Sequence, residues 1–560
     1  MSSVGVSLRD LPKSCVFTKS LPCDKLFPTP KDSAKSGSEK LGPRQVKEAL
    51  YTYVRPTPAT ANPELLAVSP AAFRDLGLKL EEAETKEFVD LVAGNGSYED
   101  VDENGVYPWA QCYGGWQFGQ FAGQLGDGRA ISLFEGTNPQ TGKRYEVQLK
   151  GAGKTPYSRF ADGRAVLRSS IREFLVSEYL NSIGIPTTRA LALTLLPNEM
   201  VVREKMEVCA IVARMAESWI RIGTFDIFRA RGDRVRLRQL CDYVHEEVLG
   251  LTMTEGNKYE AMYREIVKRN AKVVALWQVY GFMNGVLNTD NTSILGLSLD
   301  FGPFAFMDKF DPSYTPNHDD YLLRYSFRNQ PTIIWWNLVR LAEDIAELIT
   351  VEDPHDAEFI ANGVPEADTD ALIEKAEKLI ASIGEDYKTV FLTTYKEKMA
   401  ERMGFKSFKE EDFDSHFSPV LDLMEKHEFD FHLFFRKLAE TPVKEIKAEI
   451  FLPADASKKD IKDVEGYLTM YKERLAEEGI TDEMRIPQMK KTNPKFVPKN
   501  WVLDEIIKRV EKDGEREVLK DVVKCVMEPF EDTWEGVKDA ERWCGPVPKD
   551  KQAMQCSCSS

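Results

Sequence analysis

Residues 130–150 read AISLFEGTNPQTGKRYEVQLK, and this stretch predicts a β-hairpin. Ala130–Glu135 and Tyr145–Lys150 are short and rich in β-prone residues, whereas the linking GTNPQTGK is rich in turn-forming residues. A helix is expected shortly afterwards, over Ala165–Ile183, because Phe174 and its apolar neighbours recur at helical spacing. Residues 130–183 therefore predict a β-hairpin followed by a helix.

Two more strands, Arg189–Leu196 and Glu207–Met215, are expected to extend the strand-rich front of the chain. After about residue 217 the pattern becomes mostly helical. Helices are expected over Lys258–Met283 and Trp335–Thr350, and a Lys/Glu-rich helical region over 365–530. The chain therefore predicts strands with one embedded helix in front and a large helical region behind.

Two segments differ from this pattern in composition. The stretch SILGLSLDFGPFAFMD at 293–308 is apolar and contains Gly and Pro, which predicts a short buried hairpin within the helical region. Residues 28–63 are rich in Pro, Ser, Gly and Lys. That composition predicts a surface arm with little regular structure.

Composition excludes several classes of protein. The chain has 74 Lys+Arg and 90 Asp+Glu, a net charge of −16, so no nucleic-acid partner is expected. No run of about eighteen apolar residues occurs, so no membrane span is expected. The nine cysteines are scattered and have no zinc-type spacing, which is typical of the reduced thiols of an intracellular protein.

The glycine-rich GQLGDGR at 123–129 stands directly before the first strand of the predicted hairpin. Because a hairpin follows, the stretch is more analogous to a flexible loop that closes over nucleotide phosphates than to the turn of a dinucleotide-binding fold. Taken alone, it is more typical of an ordinary tight turn. The apolar side chains of the second strand alternate onto one face, so Lys150 points to the other face, behind the loop. Glu173 on the next helix is its expected carboxylate partner, as in the strand-lysine and helix-glutamate pair of protein kinases.

Two short polar motifs, NTDN at 288–291 and DFG at 300–302, supply candidate catalytic groups. An Asn carbonyl and an Asp carboxylate are hard oxygen ligands, so Asn291 and Asp300 are candidate Mg²⁺ ligands. Asp290 is then free to accept a proton from an attacking hydroxyl, as a general base. NTDN alone is more typical of a polar turn, and the chain lacks the HRD motif of protein kinases.

Further residues suit phosphate binding. Arg214 and Arg221 lie seven residues apart, just after a predicted strand, and a guanidinium fork matches phosphate oxygens. The DGR tripeptide at 162–164 is expected to open the helix that carries Glu173, and a helix N-terminus favours anions. These groups exceed what transfer of a γ-phosphate needs, so the nucleotide is expected to sit differently from that of a kinase.

Over nearly its whole length the sequence resembles the selenoprotein O family, also called the YdiU family. The resemblance lies in the blocks LPKSCVFT, LKGAGKTPYSRFADGRAVLRSSIREFL, GVLNTDNTSILGLSLDFGPFAFMD, FRNQP and NPKFVPKN. Members have a pseudokinase fold and transfer AMP to protein hydroxyls. The chain departs from its relatives in having DFG for DYG, LLRYSFRNQP for a glycine-containing GRY segment, and Lys499 for Arg.

The resemblance implies a role for each candidate residue. Its nucleotide-binding residues are Gly126, Gly128, Arg129, Lys150 with Glu173, Asp162, Gly163, Arg214 and Arg221. Asp290 is implied to be the base, and Asn291 and Asp300 to bind Mg²⁺ or Mn²⁺. ATP is implied to bind flipped relative to kinases, so that attack on the α-phosphorus releases pyrophosphate and leaves AMP on Ser, Thr or Tyr.

The predicted fold class is α+β, in the form of a protein-kinase-like two-lobed fold. The expected regions are an N-terminal arm at 1–63, a strand-rich N-lobe with the nucleotide loop at 64–220, an extended helical C-lobe with the catalytic and metal-binding loops at 221–545, and a flexible Cys-containing tail at 546–560. Animal relatives carry selenocysteine where Cys558 stands. The resemblance implies an intramolecular disulfide between Cys558 and a cysteine that the sequence does not identify.

The predicted function is a protein adenylyltransferase that uses ATP and Mg²⁺ and acts on protein substrates. The alternatives are a protein or small-molecule kinase that transfers the γ-phosphate and a non-catalytic pseudokinase scaffold. The resemblance implies a mitochondrial location. The N-terminus is not a clear presequence, because Arg9 is the only Arg in the first forty residues, so a cytoplasmic location is the alternative.

Overall fold

The computed structural model describes residues 5–37, 40–59, 62–96, 106–252, 256–354 and 356–556. The strands in these ranges are β1 (Lys13–Ser14), β2 (Tyr51–Tyr53), β3 (Glu64–Val68), β4 (Trp109–Gln111), β5 (Trp116–Gln117), β6 (Gln120–Phe121), β7 (Ala130–Thr137), β8 (Arg144–Lys150), β9 (Ala165–Val166), β10 (Arg189–Val202), β11 (Met206–Ala216), β12 (Phe282–Met283) and β13 (Ala305–Phe306).

The α-helices in the same ranges are α1 (Val16–Ser20), α2 (Pro30–Ala34), α3 (Pro70–Leu76), α4 (Lys86–Val92), α5 (Leu167–Ser182), α6 (Ile222–Ala230), α7 (Arg234–Tyr243), α8 (Lys258–Val279), α9 (Gln330–Asp344), α10 (Ala346–Thr350), α11 (Ala357–Asn362), α12 (Thr369–Met403), α13 (Ser418–Lys426), α14 (Phe431–Glu440), α15 (Lys458–Glu477), α16 (Asp482–Thr492), α17 (Asn500–Lys512), α18 (Glu517–Met527) and α19 (Ala540–Trp543).

Nine of the described strands form one antiparallel sheet, whose path runs β2-β4-β7-β8-β11-β10-β3. β1 pairs with β7, and β9 pairs with β11, beside this path. The predicted hairpin is confirmed as β7 and β8, with Ile131 opposite Leu149. The two further predicted strands are confirmed as β10 and β11, in which Leu193 lies opposite Val212.

The sheet lies between helices on its two faces. Val147 and Leu149 of β8 point to one face and share a core with Phe73 of α3 and Phe88 of α4. On the other face α5 packs against β10 and β11, and Phe174 is fully buried there. Each large apolar side chain buried in this way contributes about 1.5–3 kcal/mol. The polar residues of β8 and the carboxylates of α5 therefore share the second face.

Three predicted helix boundaries were wrong for local reasons. The helix predicted from Ala165 begins at Leu167, because Ala165–Val166 pair with β11 as β9. The helix predicted to reach Met283 ends at Val279, shortly before Gly281, which has a positive φ and closely approaches Phe431. The helix predicted from Trp335 begins earlier, at Gln330, and is interrupted at Ile345 between α9 and α10.

The hairpin predicted within 293–308 was wrong in its pairing. Ala305–Phe306 is a buried strand, but its partner is Phe282–Met283, more than twenty residues upstream. The residues between these two strands form the loop that carries NTDN and DFG. The pairing therefore closes the base of the loop that bears the candidate catalytic groups.

The segment 28–63 was also predicted wrongly. It contains α2 and the buried strand β2, in which Tyr51 lies opposite Gln111 of β4. The tail expected at 546–560 is described up to Cys556, whose backbone pairs with Pro316 and His318. The described cysteines form no disulfide, and Cys558 lies outside the described residues.

The structure is therefore a mixed α/β protein with a large antiparallel sheet and many helices. The two-lobed, kinase-like arrangement stays a prediction. No helix in the described ranges is long and apolar enough to cross a lipid bilayer.

A buried ion pair provides a test of how α5 is held on the sheet. Glu178 of α5 is fully buried and accepts hydrogen bonds from Arg189 at 2.9 and 2.7 Å. Glu178→Ala leaves Arg189 with only the half-exposed Asp75, and we expect the free energy of unfolding to fall by about 3 kcal/mol. Urea denaturation measures this change. Glu374→Ala breaks an exposed pair with Lys378 and is the control, with an expected change below about 1 kcal/mol.

Candidate active site

The register of β8 and β11 brings a lysine and an arginine to the same face of the sheet. Val212 lies opposite Lys150, and Arg214 lies opposite Gln148. Gln148 Oε1 accepts hydrogen bonds from Arg214 at 2.9 and 2.7 Å, which fixes the position of the guanidinium. Both cations face α5, which supplies a carboxylate to the same space.

Glu173 and Asp300 are bridged by these two cations. Lys150 pairs with Glu173, as predicted, and its Nζ lies 3.8 Å from Asp300. Arg214 Nη1 lies 2.9 Å from both carboxylates. The strand lysine, the helix glutamate and the DFG aspartate therefore form one ion-pair cluster with Arg214.

Arg221 connects this cluster to the NTDN loop. It precedes α6, is almost completely buried, and its guanidinium lies over the ring of Tyr113. Its Nη1 donates to the Asp300 carboxylate at 2.5 Å and to the backbone carbonyl of Asp290 at 2.8 Å. One arginine therefore holds the two predicted catalytic motifs together.

The electrostatics of the cluster keep Asp300 ionised. Burial alone would raise the pKa of Asp300, but the three surrounding cations hold it well below its ordinary value. Burial lowers the pKa of Lys150, and the adjacent Glu173 opposes this. Asp300 also has a φ of 53°, which is uncommon for a residue other than glycine. Its ion pairs compensate for this strained backbone.

Asp290 has a different environment from Asp300. Burial raises the pKa of Asp290 to about 7, although a hydrogen bond from Gln117 at 3.1 Å opposes the shift. Its Oδ1 is buried and has no partner among the described residues. A Cβ on Gly115 would lie 2.4 Å from this oxygen, so only glycine allows the close approach. Asp290 is therefore a buried carboxyl group that titrates near neutral pH.

The glycine loop lies beside the cluster. Gly126 has a φ of 132°, and a Cβ there would lie 2.8 Å from the Gln111 carbonyl. Gly128 packs closely on Tyr157, so the loop is a tightly held turn and not an open one. Burial lowers the pKa of Arg129, and the attraction of Glu173 opposes this, which places Arg129 in the field of the cluster.

Asp162 and Gly163 have mainly structural contacts in the described chain. Asp162 binds Arg203 through two hydrogen bonds of 2.7 and 3.0 Å. The Gly163 carbonyl accepts from Gly153, and a Cβ on Gly163 would collide with that residue. The expectation that this tripeptide opens a helix was wrong, because β9 stands between it and α5.

Asn291 directly follows Asp290 in the sequence, but its side chain forms no hydrogen bond with the ion-pair cluster among the described residues. Its Nδ2 donates to the Val286 carbonyl at 3.2 Å. No contact recorded for the described residues joins Asn291 to Asp300, whose carboxylate oxygens bind the arginines. Convergence of the two side chains on one ion therefore stays a prediction.

Several residues that hold the site were not identified from the sequence. Thr289 accepts from the Trp116 amide at 2.7 Å and donates to Asp226 of α6, so it anchors the NTDN loop on two sides. Asp127 in the glycine loop accepts from the Gln111 amide, and burial raises its pKa to about 6. Both residues lay in motifs that the sequence singled out, NTDN and the glycine-rich stretch, but neither was assigned a role there.

Comparison with known proteins identifies the family. Arginine and lysine side chains can bind phosphate oxygens, and a carboxyl group with a strongly shifted pKa marks a candidate functional site. Residues 43–527 match the family described as Protein adenylyltransferase SelO. The chain belongs to this family.

Named relatives agree with this assignment. A relative from Schizosaccharomyces pombe, named Protein adenylyltransferase SelO, mitochondrial, is 46% identical, and the match covers 99% of each chain. The Saccharomyces cerevisiae protein of the same name is 37% identical over 81% of this chain and 84% of its own. A Protein nucleotidyltransferase YdiU from Nitrosospira multiformis is 37% identical over 92% of this chain and 93% of its own.

The raised pKa of Asp290 predicts a pH-dependent effect on stability. In the folded protein this carboxyl keeps its proton up to about pH 7, whereas its ordinary pKa is 3.8. Between these two pH values the folded protein therefore binds one proton more than the unfolded chain. The free energy of unfolding consequently falls as the pH rises through this range. The Asp290→Asn variant cannot titrate at this position, so its free energy of unfolding does not fall in this way. Relative to wild type, its stability should increase by about 1.4 kcal/mol per pH unit across the range.

Urea midpoints of the variant and wild type at several pH values between 4 and 8 measure the effect. Asp422→Asn on the exposed side of α13 is the matched control and should show no such trend. A stability difference for Asp290→Asn that is constant with pH would contradict the account of Asp290.

Proposed function

We propose that this protein transfers AMP from ATP to Ser, Thr or Tyr hydroxyls of proteins and releases pyrophosphate. The observation that carries the proposal is the buried cluster in which Lys150, Arg214 and Arg221 gather around Asp300, with Arg221 also bound to the Asp290 backbone. Membership of the SelO family supports the same activity.

The cation cluster is suited to a triphosphate. Lys150 pairs with Ala130, the residue that directly follows the glycine loop, and two guanidinium groups share the Asp300 carboxylate with it. Guanidinium forks bind phosphate oxygens through paired hydrogen bonds, and a lysine adds a point charge. Ion pairs with Glu173 and Asp300 position these cations before ATP arrives, so their charges are near the site when charge develops on the phosphates. Arg129 and the backbone of Gly126 and Gly128 complete the proposed phosphate-binding set.

The number of cations favours attack at the α-phosphorus. In this arrangement the β- and γ-phosphates leave together as pyrophosphate, and nearby cations can neutralise its charge. Arg214 and Arg221 lie deep in the site and are both nearly inaccessible to water. We propose that they bind the phosphates of the leaving group in an ATP that is flipped relative to that of kinases.

Asp290 is the proposed general base. A carboxyl group that titrates near 7 can accept the proton of an acceptor hydroxyl at physiological pH and return it afterwards. Its Oδ1 has no partner in the described structure, while Gln117 holds Oδ2. The hydroxyl oxygen then attacks the α-phosphorus, the bond to the bridging oxygen breaks, and pyrophosphate leaves.

Asn291 and Asp300 are the proposed ligands of a divalent cation. The donor set fits, because Asp300 stays ionised and both side chains offer hard oxygen atoms. When bound, Mg²⁺ or Mn²⁺ supplies positive charge to the phosphate oxygens. Binding requires Asp300 to share oxygens that now bind Arg214 and Arg221.

We also propose the kinase-like two-lobed arrangement for this chain, with β7, β8, β10, β11 and α5 in the first lobe. The order of glycine loop, strand lysine and helix glutamate supports it.

A mitochondrial location is proposed from the names of the fungal relatives. Cell fractionation tests this location, and recovery only in the cytosol would contradict it.

The transfer reaction is tested with ATP labelled at either the α- or the γ-phosphate. With Mg²⁺ and a protein acceptor, including the chain itself, we expect label only from the α-position and a mass gain of about 329 Da. Label from the γ-position with a gain of about 80 Da would instead establish a kinase. Nucleotide binding with neither product would indicate a scaffold.

Asp290→Ala is the companion variant in this assay. Removal of the base should lower transfer by about 10²- to 10⁴-fold while ATP binding is kept. Asp422→Ala on exposed α13 should transfer AMP like wild type. Wild-type transfer by Asp290→Ala would show that another group accepts the proton.

Lys150→Ala tests the phosphate-binding role of the strand lysine. Loss of a charge-assisted contact should weaken ATP binding at least about tenfold. Lys154→Ala is the matched control, because Lys154 is an exposed lysine four residues further along the chain. Isothermal titration calorimetry measures both affinities. Equal ATP affinities for the two variants would refute a contact between Lys150 and the nucleotide.

A further inference from the structure

A group of large apolar side chains is exposed beside the NTDN loop. Tyr321 is 80% exposed, Leu322 is 91% exposed, and Phe118 is 44% exposed. Single exposed apolar residues are ordinary, but a contiguous group of them marks an interaction surface. These side chains come from two segments that are about two hundred residues apart in the chain.

The three side chains line a groove that also has polar walls. The groove encloses about 520 Å³, and Ile333 of α9 adds to its apolar lining. Asp319, Asp320 and Arg324 line it as well. Two carboxylates and one guanidinium therefore stand beside the apolar side chains that an occupant would contact. We call this surface the Phe118–Leu322 groove.

Hydrogen bonds join the Phe118–Leu322 groove to the proposed base. Phe118 follows Gln117, whose Nε2 donates to Asp290 at 3.1 Å. The Phe118 amide donates to the Tyr325 hydroxyl at 2.9 Å, and that hydroxyl donates to Asn288 of the NTDN loop at 2.6 Å. Phe118, which lines the groove, is therefore the neighbour of Gln117, which binds the proposed base, and their Cα atoms are about 3.8 Å apart.

The walls of the groove are fixed before any partner binds. Asp320 is buried and accepts from the Tyr325 and Arg324 amides at 2.8 and 2.9 Å, which fixes the turn that displays Tyr321 and Leu322. The Arg324 guanidinium lies over the Trp336 ring at 4.9 Å. A surface that is ordered in advance loses less conformational entropy on binding.

We infer that the Phe118–Leu322 groove docks the acceptor protein through a bulky apolar side chain a few residues from the modified hydroxyl. This inference rests on the proposed function. An extended chain advances about 3.3–3.6 Å per residue, so a residue two to four positions from the hydroxyl can reach the groove while the hydroxyl lies at Asp290. A chain segment fits better than a small molecule, because Leu322 projects outward and only a large surface can cover it.

The test uses the full-length protein, ATP with Mg²⁺, and a library of short peptides with a central Ser, Thr or Tyr and randomised flanks. We expect wild type to prefer a bulky apolar residue at one position on one side of the hydroxyl. Leu322→Asp should lower kcat/KM for the preferred peptides at least about tenfold and remove the preference. Val202→Asp places the same change on an exposed apolar residue of β10, and it should keep the wild-type preference.

Tyr321→Ala is a second variant that adds no charge, and ATP affinity and the urea midpoint report whether each variant is folded. If AMP transfer is observed, two results would overturn the inference. Either wild type shows no apolar preference, or both folded variants keep the wild-type preference. If no peptide and no residue of the chain itself receives AMP, the proposed function fails instead. Light scattering compares the molecular mass of each variant in solution with that of wild type. A changed mass with an unchanged peptide preference would identify the groove as a contact between copies of this chain and overturn the docking role.

Discussion

The ionised carboxylate of Asp300 is the group on which the site depends. Three cations reach it from separate elements: Lys150 from β8, Arg214 from β11 and Arg221 from the start of α6. Buried charges are stable only when they are paired and hydrogen-bonded, so each cation fixes the position of the others. Because Arg221 also binds the Asp290 backbone, the same constraint places the proposed base relative to the sheet.

This arrangement links the fold to the proposed chemistry. The sheet sets the spacing of Lys150 and Arg214, α5 supplies Glu173, and the long loop between β12 and β13 supplies Asp290 and Asp300. The cations that neutralise carboxylates in the chain are the ones proposed to bind the triphosphate. The two aspartates differ in their surroundings: cations surround Asp300 and lower its pKa, whereas burial without sufficient pairing raises the pKa of Asp290.

The sequence predicted those parts of the site that depend on local patterns. Alternation along β8 correctly placed Lys150 opposite the apolar face, and the following helix brought Glu173 to it. The contact of Arg221 with Asp300 joins loops far apart in the chain, so no spacing rule specifies it. Three-residue β2 has no measurable periodicity, and the pairing of Phe282 with Phe306 depends on a long loop closing, so both were missed. Gln117 holds the base from a position outside any motif. Thr289 lies within NTDN, but its contact with the Trp116 amide joins distant segments that no local pattern specifies.

The orientation of ATP is the central claim, and a crystal structure with Mg²⁺ and a non-hydrolysable ATP analogue tests it most directly. We expect the α-phosphorus to lie nearest the Asp290 carboxylate, with the β- and γ-phosphates between Lys150, Arg214 and Arg221. A γ-phosphate directed at Asp290, with the α-phosphate deep among the arginines, would contradict it.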